Sequence, residues 1–420
     1  MLLLGTVSLL TDISSESVNA ILSVYLVTFL GYSTFAYGVL DSLYQGISAL
    51  VRLAGGWVAD RTRAPKWVAV FGYGLSAVVR VGLVLLSSFA AISTVITLDR
   101  LGKGVRTAPR DALITSSSRP ENLGRSFGVH RSLDTVGAML GPLLAFWVLV
   151  LVPNGFKTVF VMSLGFAAVG WVVLLLFVPN LRPGRRRRAE PGRAAPAAIV
   201  ELELAAEPVA DKPVPEQAPA SRPSLRLLVR RSYLRLCLSA TLLGLLSISD
   251  SFLYLELQRR DDLAVKYFPL LFVGSNLAYL ALAVPLGQLA DRIGRIKIFL
   301  AGHVLLLLAY LAASGAWTGA VTTVACLLLL GTYYAATDGV LAAVSGQLVP
   351  AVVRTSGIAT TQTLQALARS GASLMFGLLW ASLGAITALR LMTWLLLAAI
   401  PVAALLLRGV DRDYVREEAG

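Results

Sequence analysis

The chain has 420 residues, 56% of them hydrophobic and only 15% charged, with a mean hydropathy of +0.73 and a formal net charge of +13. Soluble domains carry roughly 25% charged residues, so this composition excludes an ordinary water-soluble domain, and its apolar content excludes a disordered chain. Cys237 and Cys326 are the only cysteines and each lies in an apolar run, which excludes a disulfide scaffold. The class that remains is a polytopic helical membrane protein, since about 20 residues cross a hydrocarbon core of about 30 Å.

Apolar stretches of spanning length fall at 3–29, 35–58, 67–88, 91–115, 126–151 and 157–178, then at 232–256, 265–289, 296–316, 320–346, 357–382 and 386–407. We number them spans 1 to 12. They are continuously apolar rather than alternating, which argues for helices and against a β-barrel. The segment between spans 6 and 7 holds Arg185–Arg188 and many prolines, and reads as a flexible linker. The expected fold is all-α, with twelve transmembrane helices in two six-helix bundles. The bundles occupy 1–178 and 231–410, with a cytoplasmic linker over 179–230 and a cytoplasmic tail over 411–420.

Orientation follows from where Lys and Arg lie. The linker is net positive, the loop after span 2 carries Arg61, Arg63 and Lys66, and the loop after span 8 carries Arg292, Arg295 and Lys297. Loops after spans 1, 3 and 9 are essentially uncharged, while the loop after span 7 is mixed. Even-numbered connections and both termini are therefore expected in the cytoplasm. Much of the positive charge then faces the inner membrane surface, so a lipid bilayer rather than nucleic acid is the expected partner. Span 1 holds Asp12 and Glu16, which suits a retained span rather than a cleaved leader.

One loop repeats. After span 2 the chain reads Gly56-Trp57-Val58-Ala59-Asp60-Arg61, and after span 8 it reads Gly287-Gln288-Leu289-Ala290-Asp291-Arg292-Ile293-Gly294-Arg295. Such internal repeats build many transporters, with the binding site between the halves. Each glycine permits close helix approach. The aspartate suits the N-terminus of the following helix, and the basic residues can pair with it.

On these residues the chain resembles the major facilitator superfamily, whose signature between helices 2 and 3 has the form Gly-x-Leu-Ala-Asp-Arg-x-Gly-Arg-Lys. The second copy matches closely; the first has Arg63 in place of the second glycine, followed by Pro65. Span 4 contains Arg100-Leu101-Gly102-Lys103-Gly104, similar to an Arg-x-x-x-Gly element of proton-driven members. Span 5 contains Gly137, Gly141 and Pro142, similar to a Gly-x-x-x-Gly-Pro element of drug:proton antiporters, with Ala145 and Phe146 where a further glycine pair is usual. Asp99 to Leu113 resembles a block of a poorly characterised prokaryotic permease branch. The resemblance implies secondary transport, favours export, and implies a central cavity lined by spans 1, 4, 7 and 10.

Ionisable groups inside spans cost about 2.5–3.5 kcal/mol each at the centre and usually face a cavity or a partner. Asp12 and Glu16 lie one turn apart on span 1. Asp99, Lys103, Arg106 and Arg110 form one stripe on span 4, beside Arg100, Thr107 and Asp111; span 5 adds His130, Arg131 and Asp134. Asp12, Glu16, Asp99, Arg100, Lys103, Asp250 in span 7 and Asp338 in span 10 are the candidates for proton coupling in a shared cavity, with Asp12 and Glu16 facing the basic stripe. Asp60, Arg61, Arg106, Arg110, Asp111, Arg131, Asp134, Asp291, Arg292 and Arg295 are candidates for a structural charge relay, in which Asp134 latches to Arg106 or Arg110. Arg80 is left without a role, Arg52 lies near the inner end of span 2 where it can snorkel to the surface, and His303 reads as a packing residue. Tyr25, Tyr254, Tyr333, Tyr334, Gln362 and Gln365 are candidate substrate contacts, although aromatics also gather at membrane interfaces.

The leading expectation is proton-coupled efflux of a small organic solute by a monomer in a prokaryotic cytoplasmic membrane. The alternative is proton symport importing a small anion, motivated by Lys103, Arg106 and Arg110. A sensor or enzyme on the same fold is a third reading. It finds no local nucleophile–base motif and no metal-ligand spacing, so neither a metal nor a cofactor is expected. A Walker-type phosphate loop is likewise absent.

Overall fold

The computed structural model describes residues 2–61, 65–117, 123–179, 230–315, 317–350 and 353–410. The linker lies outside them. Among the described residues there is no strand, and helices occupy all twelve expected spans. In the first half these are Leu2–Val24 with a π-helical turn Tyr25–Phe29, Thr34–Arg61, Pro65–Val79 with Val81–Leu85, Phe89–Ser117, Leu123–Leu151 and Phe156–Phe177. The second half comprises Arg231–Gly244 with Asp250–Arg260, Phe268–Ile293, Arg295–Ser314, Ala320–Gln347, Arg354–Leu383 and Ala385–Leu407. Among the described residues eight helices are by themselves long and apolar enough to cross a membrane. Spans 1, 2, 4 and 7 fall outside that set, and they supply most of the polar cavity walls described below.

Two spans are interrupted, and in the second a side chain from elsewhere takes over backbone duties. Span 3 turns at Arg80, whose guanidinium is buried against span 4. Span 7 unwinds between Gly244 and Asp250. There the Ile248 N–H donates to the Tyr310 hydroxyl at 2.8 Å, which donates in turn to the Leu246 carbonyl at 3.0 Å. Backbone groups freed inside a membrane must find such partners.

The two six-helix bundles meet along two seams, span 2 against span 11 and span 5 against span 8. We call the face where spans 2 and 8 end the basic face. In the half away from it, span 2 and span 11 touch through small residues. A Cβ placed on Gly38 would sit 2.7 Å from the Ser373 carbonyl oxygen and 3.1 Å from the Gly377 Cα. The Ser42 and Ser370 hydroxyls are 2.9 Å apart, and Ser370 donates to the Ser42 carbonyl at 2.8 Å. Phe252 of span 7 completes the closure, edge-on to Tyr37 and to Phe376, each at 5.1 Å. Phe146 of span 5 stacks on Tyr267 at the head of span 8. The molecule is therefore sealed on the face opposite the basic one.

A polar staple ties the loops of the sealed face together. Asp261, just past span 7, accepts from the Gly319 N–H at 3.1 Å, from the Thr323 hydroxyl, and from Arg260 Nε at 3.1 Å. Arg260 also donates to the Ala312 and Ala313 carbonyls at 2.8 and 3.0 Å. An anion thus meets the start of span 10 and a cation meets the end of span 9, as helix dipoles favour. Burial pushes the Asp261 carboxyl up, but the hydrogen bonds from Arg260, Thr323 and Gly319 outweigh it and hold the group below its ordinary value. A carboxylate with a depressed folded pKa stabilises above its unfolded value of about 3.9 and loses that contribution as pH falls through the folded value. Asp261→Asn is expected to melt below the wild type at pH 7, with the gap closing below about pH 4. Thermal melts across pH check this; a gap that persists in acid assigns the effect to something other than the carboxylate charge.

Turn geometry explains part of the repeated loop. Gly294 has φ +111° between spans 8 and 9, a conformation that L side chains rarely adopt. Asp291 lies in the last turn of span 8 rather than at the start of the next helix, so its charge opposes the dipole. Arg295, one turn on, meets it at 2.7 Å. Arg292 is exposed. The side chains of Asp60 and Arg61 lie outside the described residues.

Candidate functional site

A cavity of about 910 Å³ enters from the basic face and runs between the bundles. Its size falls within the range of about 300–1,000 Å³ typical of small-molecule sites. Its wall is asymmetric. Among the described residues all its charged lining comes from the first half, whereas the second half contributes Asn276, Tyr279, Leu280 and Gln362. Asp250 and Asp338 are not among the residues lining it, so the expected sharing of charge between halves is not found in this space.

The stripe on span 4 divides by depth. Asp99 turns away from the larger cavity into the first bundle, where Arg80 reaches Oδ1 at 3.1 Å and Arg100 reaches Oδ2 at 2.7 Å. All three residues are buried. Arg80 continues to the Ser14 and Ser163 hydroxyls, and Arg100 lies 4.1 Å above the Tyr44 ring. Arg106 is buried over the Tyr73 ring at 4.2 Å. Arg110 bonds Asp111 at 3.0 Å, lies 3.8 Å from Asp134 and donates to the Ser8 hydroxyl. His130 approaches the same Asp134 at 3.6 Å. Of the two cations considered for Asp134, Arg110 is the one within reach. Arg131 is exposed on the cavity wall.

Lys103 is the exception to this tight pairing. Its Nζ lies 3.8 Å from Asp12 and 3.9 Å from Glu16, shared between two carboxylates one turn apart on span 1. Its side chain is 37% exposed, and those of Asp12 and Glu16 are 18% and 24% exposed. The group is therefore wet, loosely paired and poised across spans 1 and 4. Such an arrangement can release one ion pair without stranding a charge, which the buried Asp99 triad cannot do.

Span 5 sets the position of that carboxylate pair. A Cβ on Gly137 would lie 2.7 Å from the Leu9 carbonyl and 3.1 Å from the Asp12 Cβ; one on Gly141 would lie 2.8 Å from the Ile13 carbonyl. The two glycines thus let span 5 press against the backbone of span 1, with Pro142 buried beside them.

The proposed aromatic and amide contacts separate. Gln362 lines the cavity. Tyr334 donates to Asp250 at 2.8 Å, and Tyr333 accepts from Arg369 at 3.0 Å and donates to Ser247 at 3.1 Å. Tyr25 is buried between Phe156 and Phe160, Tyr254 is buried against Phe272 with its hydroxyl on Ser275, and Gln365 is buried. Gln362 is thus the one candidate contact that lines this cavity; Tyr25, Tyr254, Tyr333 and Gln365 are buried elsewhere, and Tyr334 faces a smaller space beside Asp250. Asp338 pairs with Arg369 at 3.5 Å. His303 is buried with Nδ1 2.9 Å from the Phe299 carbonyl. Among the described residues no three His, Cys, Asp or Glu side chains converge as a metal site would require.

Sequence reasoning passed over Asp41, Tyr44 and Arg369 and left Arg80 without a role. A lone ionisable residue in an apolar span was the available signal for Asp41 and Arg369.

The family model described as Major Facilitator Superfamily matches residues 4–373. An uncharacterized MFS-type transporter of Methanocaldococcus jannaschii is 28% identical over 387 residues, covering 90% of this chain and 87% of that protein. A multidrug resistance protein, MdtH of Edwardsiella ictaluri, is 29% identical over 129 residues, covering only 31% of this chain and 32% of its own length. The crystal structure of the nucleoside transporter NupG superposes with a TM-score of 0.75 at 15% identity, over 97% of this chain and 98% of that one. At that identity the likeness speaks for the fold alone. The twelve helices in two bundles, the cavity between them and the family match make this chain a multi-pass membrane transporter, not an enzyme, belonging to the major facilitator superfamily.

Proposed function

We propose that the chain is a proton-coupled antiporter that exports a small organic solute by alternating access, the bundles over 1–178 and 231–410 rocking about the central cavity. The basic face is read as cytoplasmic by the positive-inside rule, in the cytoplasmic membrane of a prokaryote with both termini inside, and the sealed, inward-open form is one end of the cycle. The observation that carries the coupling is Lys103 shared between Asp12 and Glu16 at 3.8 and 3.9 Å on the open cavity. Protonating either carboxylate frees Lys103 from one partner while the other still holds it, so proton binding is linked to contacts between spans 1 and 4. Export is supported by the Gly137, Gly141 and Pro142 element and by the partial likeness to a multidrug resistance protein.

The cavity wall also favours a second reading. Lys103, Arg110 and Arg131 all border the open space, and guanidinium groups suit carboxylate or phosphate ligands. That pattern fits import of a small anion with protons. Flux of radiolabelled solutes in proteoliposomes with an imposed pH gradient tests both. Antiport requires uphill movement opposite to the protons, symport requires movement with them, and unchanged uphill flux after the gradient is collapsed removes proton coupling altogether.

A further inference from the structure

The larger cavity leads to a second space. Tyr44 and Gln45 line both it and a chamber of about 120 Å³ between the bundles. The chamber carries Asp41 from span 2, Asp250 from span 7 and Arg369 from span 11. Asp41 is buried and met by hydroxyls, with Ser373 donating to Oδ2 at 2.5 Å. Asp250 accepts from Tyr334 at 2.8 Å. Among the described residues no Lys, Arg or His nitrogen comes within 4.0 Å of either carboxylate. Carboxylates inside spans with no cation in direct contact are costly and mark functional positions.

Arg369 has spare capacity of the opposite kind. It lies over the Tyr333 and Tyr334 rings at 5.9 and 5.4 Å, donates to the Tyr333 hydroxyl and pairs with Asp338 at 3.5 Å. Among the described residues its buried Nε has no hydrogen-bond partner. A guanidinium carries five N–H donors, and leaving one buried and unused costs free energy that an incoming acceptor recovers. The chamber thus offers unmatched carboxylates and an unmatched donor in a space too small for a whole drug-sized ligand, which needs about 300 Å³ or more.

We propose that this chamber is the head-group site for a zwitterionic solute of the α-amino-acid type. The solute's ammonium lies between Asp41 and Asp250, its carboxylate meets Arg369, and its side chain extends past Tyr44 and Gln45 into the larger cavity. The proposal rests on the reading that solute crosses through this cavity. Asp41 belongs to one bundle, and Asp250 and Arg369 to the other, so such a solute senses their relative position. Asn19 lines the chamber and donates to Glu16 at 3.3 Å, which links the head group to the span 1 carboxylates.

The test is equilibrium binding to the purified full chain in detergent, read by thermal stabilisation. The panel holds the twenty protein amino acids and alanyl-alanine, the N-acetyl and carboxamide forms of the tightest binder, and sodium chloride alone. At least one zwitterion is expected to bind, with each blocked form at least tenfold weaker. Asp41→Asn and Arg369→Lys should each weaken the zwitterion at least tenfold while melting near the wild type without ligand. No stabilisation by any zwitterion overturns the proposal, as does equal binding of the N-acetyl form, equal binding of the carboxamide (an organic-cation site), or the same shift with sodium chloride alone. If a variant does not fold, the blocked-ligand series on the wild type decides. Binding is read without a gradient, so lost proton-driven flux with intact zwitterion binding removes the coupling and spares the chamber, and the reverse pattern does the opposite.

Discussion

Replacing Asp99 by asparagine is expected to destabilise the protein by about 3–5 kcal/mol, the cost of breaking a buried ion pair by removing one partner. Arg80 and Arg100 reach the two oxygens of this single carboxylate at 3.1 and 2.7 Å, and all three residues are at most 5% exposed. The neutral amide leaves two guanidiniums buried side by side with no anion between them. Arg100 keeps the Tyr44 ring and Arg80 keeps the Ser14 and Ser163 hydroxyls, but none of these carries a charge. The apparent melting temperature in detergent should fall by several degrees. Adding Arg80→Met to Asp99→Asn should recover part of the loss, because it removes one stranded cation. A single variant that melts like the wild type would show that the triad is not held as an ion cluster.

The second large effect belongs to span 1. Asp12→Asn or Glu16→Gln alone leaves Lys103 one carboxylate, and each is expected to lower pH-driven flux several-fold. The double variant leaves Lys103 in the cavity with neither partner and should lower pH-driven flux about 100-fold, equivalent to about 2.7 kcal/mol. Solute exchange at equal pH on both sides should persist, because that exchange needs the binding site and the rocking motion but no net proton movement. Equal losses in driven flux and equal-pH exchange would make the pair structural. Separating the two rates is therefore the measurement that matters.

The two predictions rest on parts of the sequence that were unequally legible. The twelve spans were readable because long apolar runs have few alternatives in a membrane, and the helix ends fall close to the runs. Asp12, Glu16 and Lys103 were readable too, since a spacing of four places two carboxylates on one face. The interruptions were not. Span 3 breaks at Arg80 inside an otherwise apolar run, and span 7 between Gly244 and Asp250, where Ser247, Ser249 and Asp250 are the local signal; the side chains that meet those points come from spans 1, 4, 6, 9 and 10 and leave no local pattern. Asp99 illustrates the limit of a stripe. Helical spacing puts it in line with Lys103, but the rotation of span 4 turns it inward to Arg80, which no local pattern encodes. Tyr25 and Tyr254 fail for the same reason, since a tyrosine on an apolar helix carries no mark of which way it faces. Asp41 and Ser373 meet across the two halves of the chain, a pairing that local spacing does not express.

The seam between spans 2 and 11 bears on how easily the molecule turns inside out. Around Gly38, Ser42, Ser370 and Gly377 the contact is made by hydroxyls, backbone and bare Cα atoms rather than by interlocking aliphatic side chains. When such a surface parts, water replaces each hydroxyl contact with one of similar strength, and the hydrocarbon cost, at about 25 cal/mol for each Å² wetted, falls on the Tyr37, Phe252 and Phe376 rings rather than on the seam itself. The sealed and opened forms can then differ by only a few kcal/mol, a gap that the binding of a proton or a solute is able to reverse.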